Sequence, residues 1–135
     1  MSMRRTVGAG LTAALVVASL GALAAQAPAV KRTILQQADL SAPGREVVQA
    51  LAEFPVGAET GRHTHPGEEV SFVEAGPVVL EVDGEPARTL KTGEAFIVAA
   101  GKIHNAHPAA GGTAKVVATY IIEKGKPVTT PAPAK

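Results

Sequence analysis

The chain contains no cysteine and no tryptophan. Without thiols there is no disulfide, no thiolate zinc site and no cysteine nucleophile. Aromatic residues are almost as scarce: Phe54, Phe72, Phe96 and Tyr120 are the whole set. Platforms for stacking bases or sugar rings are therefore few, and the core has to be assembled from Val, Ile, Leu and Ala. An excess of one charge is missing too. The formal net charge is +1 over 135 residues, which gives no reason to expect nucleic acid or an anionic membrane as a partner. The chain has no G-x-x-x-x-G-K-[ST] loop, and neither Ser41 nor Ser71 sits in a G-x-S-x-G elbow. These absences argue against P-loop phosphate binding and serine-based hydrolysis.

What is present begins with a leader. Arg4 and Arg5 precede an apolar stretch rich in small residues, Leu11 to Leu23, and Ala25-Gln26-Ala27 meets the small-x-small rule for cleavage. Residues 1–27 read as a removable signal peptide, cut after Ala27 with Ala24 as a competing position, which implies a periplasmic or secreted protein. An uncleaved anchor is disfavoured. The apolar run is short for a span of roughly 20 residues and is broken by Gly21. A twin-arginine signal is the other possibility, although Thr6-Val7-Gly8 matches it poorly. Cleavage would leave 108 residues and remove two of the 13 basic residues but none of the 12 acidic ones, taking the net charge from +1 to −1. That length allows one modest core. No second apolar run is long enough to cross a bilayer, so no stable membrane insertion is expected after cleavage.

Residues 28–45 read as an Ala/Pro linker followed by a first strand region. Within it, Ile34-Leu35-Gln36-Gln37 suits a strand or a helical turn equally. Glu46 to Phe54 reads as a strand ended by Pro55. From Gly57 onward the pattern is β. Glu69 to Glu74 alternates, with Val70 and Phe72 on one face and Ser71 and Val73 on the face of Glu69. Val78 to Val82 is β-branched, Asp83-Gly84 is a hairpin signal, and Ala87 to Leu90 returns. Phe96-Ile97-Val98 and Lys115 to Ile122 are further strands. Residues 123–135 carry Pro127, Pro131 and Pro133 and read as an extended, loosely held tail. Many short strands separated by Gly/Pro turns, with no amphipathic helix, predict an all-β sandwich or barrel.

The chemistry concentrates in residues 57–76, GAETGRHTHPGEEVSFVEAG. His63 and His65 share strand parity, and Glu69 has the same parity beyond the Pro66-Gly67 turn. His104 follows in a later segment. Imidazoles and a carboxylate converging on one point outline a first-row transition-metal site. Glu68 is the competing carboxylate, but neighbouring strand residues face opposite ways, and the spacing favours Glu69 with Glu68 at the rim. His107 reads as a loop histidine near the entrance. Arg62 and Asn105 flank ligands and are within reach of a bound anion or of solvent.

The spacing G57-x5-H63-x-H65-x3-E69-x6-G76, then G93-x5-A99-x-G101-x2-H104, resembles the two signatures of the cupin superfamily. The gap from Pro77 to Thr92 resembles that of small single-domain bacterial cupins. The first motif matches at every defined position. The second departs at Ala99, where a proline is usual, and at Pro108, where an asparagine is frequent. The resemblance covers about Glu46 to Ile122. It implies a single-domain cupin-type β-barrel (a double-stranded β-helix, or jelly roll) over 46–122. By position the ligands would be His63, His65, Glu69 and His104, holding one divalent transition metal. Iron, manganese, nickel or copper would keep open coordination positions, whereas tetrahedral zinc with four protein ligands would keep none, so zinc is disfavoured. Metal affinity should fall below roughly pH 6, because the ligands must be neutral imidazoles. The implied partner is a small molecule held against apolar walls. Val73, Phe96 and, more weakly, His107 are the candidate contacts, with Phe72, Val98 and Ile103 as further possibilities. Ser71 and Tyr120 are candidate supports behind the ligands. Two readings follow: a small oxygenase-type metalloenzyme, or a non-enzymatic metal- or ligand-binding module. The resemblance also implies a homodimer, with Lys31 to Leu40 as the exchanged segment.

Overall fold

The structure, a computed structural model, describes residues 25–135. The signal-peptide assignment falls almost wholly outside the described residues. The described residues form ten strands: β1 (Lys31–Asp39), β2 (Arg45–Phe54), β3 (His63–Thr64), β4 (Gly67–Ala75), β5 (Val78–Val82), β6 (Arg88–Leu90), β7 (Ala95–Val98), β8 (His104–Pro108), β9 (Ala114–Glu123) and β10 (Thr130–Pro131). No helix occurs among the described residues. The strands make two antiparallel five-stranded sheets, ordered β1-β2-β9-β4-β7 (the larger, by strand length) and β10-β3-β8-β5-β6 (the smaller). This is the all-β, two-layer barrel that the strand pattern predicts.

The core lies between the sheets and follows from period-two alternation. On β2, Val48, Ala50, Ala52 and Phe54 face inward. On β9, which pairs with β2 without a break from Arg45↔Glu123 to Phe54↔Ala114, the inward set is Ala114, Val116, Ala118, Tyr120 and Ile122. Val78, Leu80 and Val82 of β5 close the core from the opposite sheet. Burying each large aliphatic side chain contributes about 1.5–3 kcal/mol before the cost of ordering it. These interlocked strands therefore form the scaffold on which the polar residues are mounted.

Strand β4 inverts the usual rule. Glu69, Ser71 and Val73 face inward, while Val70 and Phe72 face solvent on the outer side of the larger sheet. Glycine at its start is obligatory. A Cβ on Gly67 would stand 1.9 Å from the Ile121 carbonyl oxygen of β9, so only a bare backbone lets β4 approach its neighbour here.

One alternative left open by the sequence is resolved, and two features differ from the sequence reading. Ile34 to Gln37 is strand, the middle of edge strand β1, with an irregularity in its pairing to β2 between Ile34 and Gln36. His104 to Pro108 is also strand, although His-Asn-Ala-His-Pro carries no β-branched residue. Pairing with β5 from Val78↔Pro108 to Val82↔His104 imposes the extended backbone. The tail is not loose. Thr130–Pro131 pairs with β3, Ala132 N–H donates to the Arg62 carbonyl, and Arg62 Nε donates to the Pro133 carbonyl.

Candidate metal centre

Both sheets contribute to one buried polar cluster. His63 on β3 and His104 on β8 are direct cross-strand partners in the smaller sheet. Glu69 comes from β4 in the larger sheet. His65 lies where the chain crosses between them, and this crossing is pinned by a hydrogen bond from Gly101 N–H to the His65 carbonyl. Gly101 has φ +72°, a left-handed conformation that glycine adopts without steric cost.

His63, His65, Glu69 and His104 are all buried, and one ligand atom from each can be chosen so that all four lie within 4.8 Å of one another. His63 Nε2 is 3.2 Å from His65 Nε2. His65 Nε2 and His104 Nε2 are each 3.1 Å from Glu69 Oε2. About 3 Å is the separation of neighbouring ligand atoms around one ion with bonds of roughly 2.0–2.2 Å.

The opposite edge of each imidazole fixes its tautomer. His63 Nδ1–H donates to the Gly61 carbonyl at 2.7 Å, His65 Nδ1–H to the Val128 carbonyl at 2.5 Å, and His104 Nδ1–H to the Lys102 carbonyl at 2.9 Å. Carbonyls only accept, so the imidazoles must donate, and a neutral ring then carries no proton on Nε2. Three Nε2 lone pairs and a carboxylate oxygen therefore face one another. Such an acceptor-only cluster in a buried place calls for a cation. The donor set fits one first-row divalent ion.

The surroundings reinforce this. Ser71 Oγ donates to Glu69 Oε1 at 2.6 Å, leaving Oε2 toward the imidazoles. Burial alone would raise the Glu69 carboxyl, but in the metal-free cluster any proton taken up on His104 or His65 Nε2 is donated to it, and these contacts, with the Ser71 hydroxyl, outweigh burial and hold it well below the carboxylate range. Burial, helped by the neighbouring His104 and His65, pushes His63 down to about 4, against the opposing pull of the Gly61 carbonyl. The Tyr120 ring packs on His65 with centroids 4.6 Å apart. Burial, followed by the nearby Glu69 carboxylate, raises its hydroxyl above the ordinary value, so it remains a proton donor.

The other expected contacts separate. Glu68 is exposed, as strand parity requires. Phe96 lines the small cavity beside the cluster, together with Phe54, Leu80 and Tyr120. Val73 is fully buried in the core, but it is not in the cavity wall, and neither are Val98 and Ile103. Phe72 points outward. His107 is not a loop residue at the entrance. It lies on β8, with Nδ1 bonded to the Pro108 carbonyl, and lines an outer depression with Gly57 and Ala58. Arg62 is engaged bidentately by Asp83 at 2.6 and 2.7 Å. Asn105 donates to Glu59 and Glu81 on the outer face. Sequence reasoning missed two parts of the site: the Val128 carbonyl behind His65, and Arg32, which reaches the cavity wall from edge strand β1. No local motif marks either residue, because each arrives from a chain end.

The cupin domain family model matches residues 50–126. The chain belongs to the cupin family. No curated protein matches it. Among solved structures it is similar to a cupin superfamily protein of Desulfitobacterium hafniense, with 22% identity over 75% of this chain and 84% of that one and a TM-score of 0.60. It is also similar to DMSP lyase DddQ of Ruegeria pomeroyi, with 20% identity, 63% and 42% coverage and a TM-score of 0.57. A third likeness is to an oxalate oxidase solved with the substrate analogue glycolate, with 21% identity, 62% and 45% coverage and a TM-score of 0.55. The chain spans less than half of each of these two enzymes, and the likenesses show the shared fold.

Proposed function

We propose that this chain is an exported metal-binding cupin that acts as a small metal-dependent oxygenase or related oxidoreductase on a small oxygenated molecule. The observation that carries the metal reading is the acceptor-only convergence of three carbonyl-locked imidazoles and Glu69. His63, His65, Glu69 and His104 would hold iron, manganese, nickel or copper. Such an ion supplies Lewis acidity and positions for exchangeable ligands. The chain's own residues do the rest: Phe54, Leu80 and Phe96 exclude water, and the Tyr120 hydroxyl offers a proton donor. The redox reading draws on the oxalate oxidase likeness, and the small-molecule reading on that and the DMSP lyase. Export rests on residues 1–27, and N-terminal sequencing of the protein recovered from the periplasm or medium should begin at Pro28.

A second reading, a non-enzymatic metal- or ligand-binding module, is favoured by one observation. The cavity beside the cluster is only about 20 Å³, room for about one water. Oxygen uptake by the metal-loaded protein, screened over small hydroxy and carboxylic acids, separates the two. Substrate-dependent uptake that is absent in His104→Ala supports the enzyme. Reversible metal-dependent binding without product supports the module.

The homodimer is proposed on two features. Edge strand β1 is exposed along its whole length, and Val70, Phe72 and Ile97 leave an apolar patch on the outer face of the same sheet. A second copy would cover these surfaces, and light scattering of the native protein against Ile97→Lys tests it.

A further inference from the structure

The cavity beside the metal centre has one feature that metal binding does not require. Its wall contains His63, Glu69 and His104 at one side, apolar residues around it, and Arg32 at the other. Arg32 is opposite Ala52 in the β1–β2 register, and Ala52 is on the inward face of β2. Arg32 shares the cavity lining with Tyr120, whose ring packs on His65. Among the described residues, Arg32 has no carboxylate partner within ion-pair distance, although Lys31 beside it pairs with Glu53 and Arg62 pairs with Asp83. An arginine that lines such a cavity without being ion-paired offers a docking point for a planar oxyanion.

Resting on the metal-centre reading above, we infer that Arg32 is the specificity-determining residue for a small carboxylate, which binds with its carboxyl group on the guanidinium and its other end toward the His63, Glu69 and His104 donors. The cavity size adds a second point. With room for about one water, it admits an organic ligand only if a wall moves. Arg32 is exposed and carried on an edge strand, whereas the other wall residues are buried apart from the half-buried Thr60. The Arg32 side chain therefore both closes the cavity and receives the ligand. The apolar walls limit the ligand to a short carbon chain and disfavour larger phosphorylated compounds.

The test is calorimetric and independent of turnover. Glycolate, acetate and the neutral glycolamide are titrated into the manganese-loaded protein, into Arg32→Gln and Arg32→Lys, and into Arg88→Gln as an exposed arginine outside the cavity. Metal content is measured on every sample. Glycolate should bind about tenfold or more weaker to Arg32→Gln at unchanged metal content, as loss of a bidentate charge-assisted pair requires. Arg32→Lys should recover part of the affinity, and Arg88→Gln should match the native protein. Equal glycolate affinity in native and Arg32→Gln protein would overturn the inference, as would glycolamide binding as tightly as glycolate or no carboxylate binding to a fully loaded protein. Failure of the native protein to take up metal would instead overturn the metal-centre reading.

Discussion

The barrel interior has two halves that are equally buried for opposite reasons. Along the inward face of β4, Glu69 and Ser71 lie in the polar half and Val73 in the apolar half. In the apolar half Val73, Val78 and Leu90 present no polar atoms, and removing them from water stabilises the fold. In the polar half burial works against stability, because carboxylate and imidazoles lose hydration. Backbone carbonyls and Ser71 offset part of that cost. Among the described residues no buried side-chain polar atom lacks a partner, yet the partners within the cluster are acceptors facing acceptors. The apolar half therefore holds the protein together, and the polar half is a donor set that could hold a metal ion.

Substitutions on the two sides should separate these roles. The largest effect is expected for Glu69→Ala and His104→Ala, each of which should lower bound metal to less than about a tenth of the native content while circular dichroism stays native. Metal retained in both variants would disprove the ligand assignment. Next, Leu90→Ala in the apolar half should cost about 2–5 kcal/mol in denaturant unfolding and leave metal content unchanged in the folded protein. A smaller effect is expected from ending the chain at Lys126. This removes the Val128 carbonyl that orients His65 and should weaken metal affinity about 10–100-fold in chelator competition. Unchanged affinity would mean that the tail is only packing.

The smallest effect concerns protons in the metal-free protein. His63 titrates near 4 when folded and near its ordinary value of 6.5 when unfolded. Between these values the unfolded chain binds a proton that the folded chain does not, so stability present above 6.5 is lost as pH falls toward 4. Glu69, depressed on folding, acts in the same direction at lower pH. The melting temperature of metal-free protein should therefore fall over that window, and His63→Asn should flatten the slope. An identical slope in the variant would show that His63 is not the group responsible.

The two halves also differ in how far they could be read from sequence. Strands β5 and β9 are visible as β-branched runs. Alternation lets only one of Glu68 and Glu69 point inward, shared parity with the histidines and the spacing favour Glu69, and motif spacing picks the four residues that the fold brings together. Strand β8 was not legible, because its extended backbone comes from pairing with Val78 to Val82 and not from its own residues. This is why the sequence points to the entrance for His107, which is instead on the outer face. Apolar character does not say which sheet face is covered, so sequence alone leaves Phe72 open as a wall residue. Val128 and Arg32 are separated from the motifs by long stretches of chain, and only the closed barrel makes them neighbours of the histidines.

The central claim, that the buried cluster is incomplete without a cation, is tested most directly by elemental analysis of the native protein, purified without a histidine tag and again after reloading. About one iron, manganese, nickel or copper ion per chain is the result expected of this donor set. A folded protein that remains metal-free after incubation with excess of each ion would contradict it.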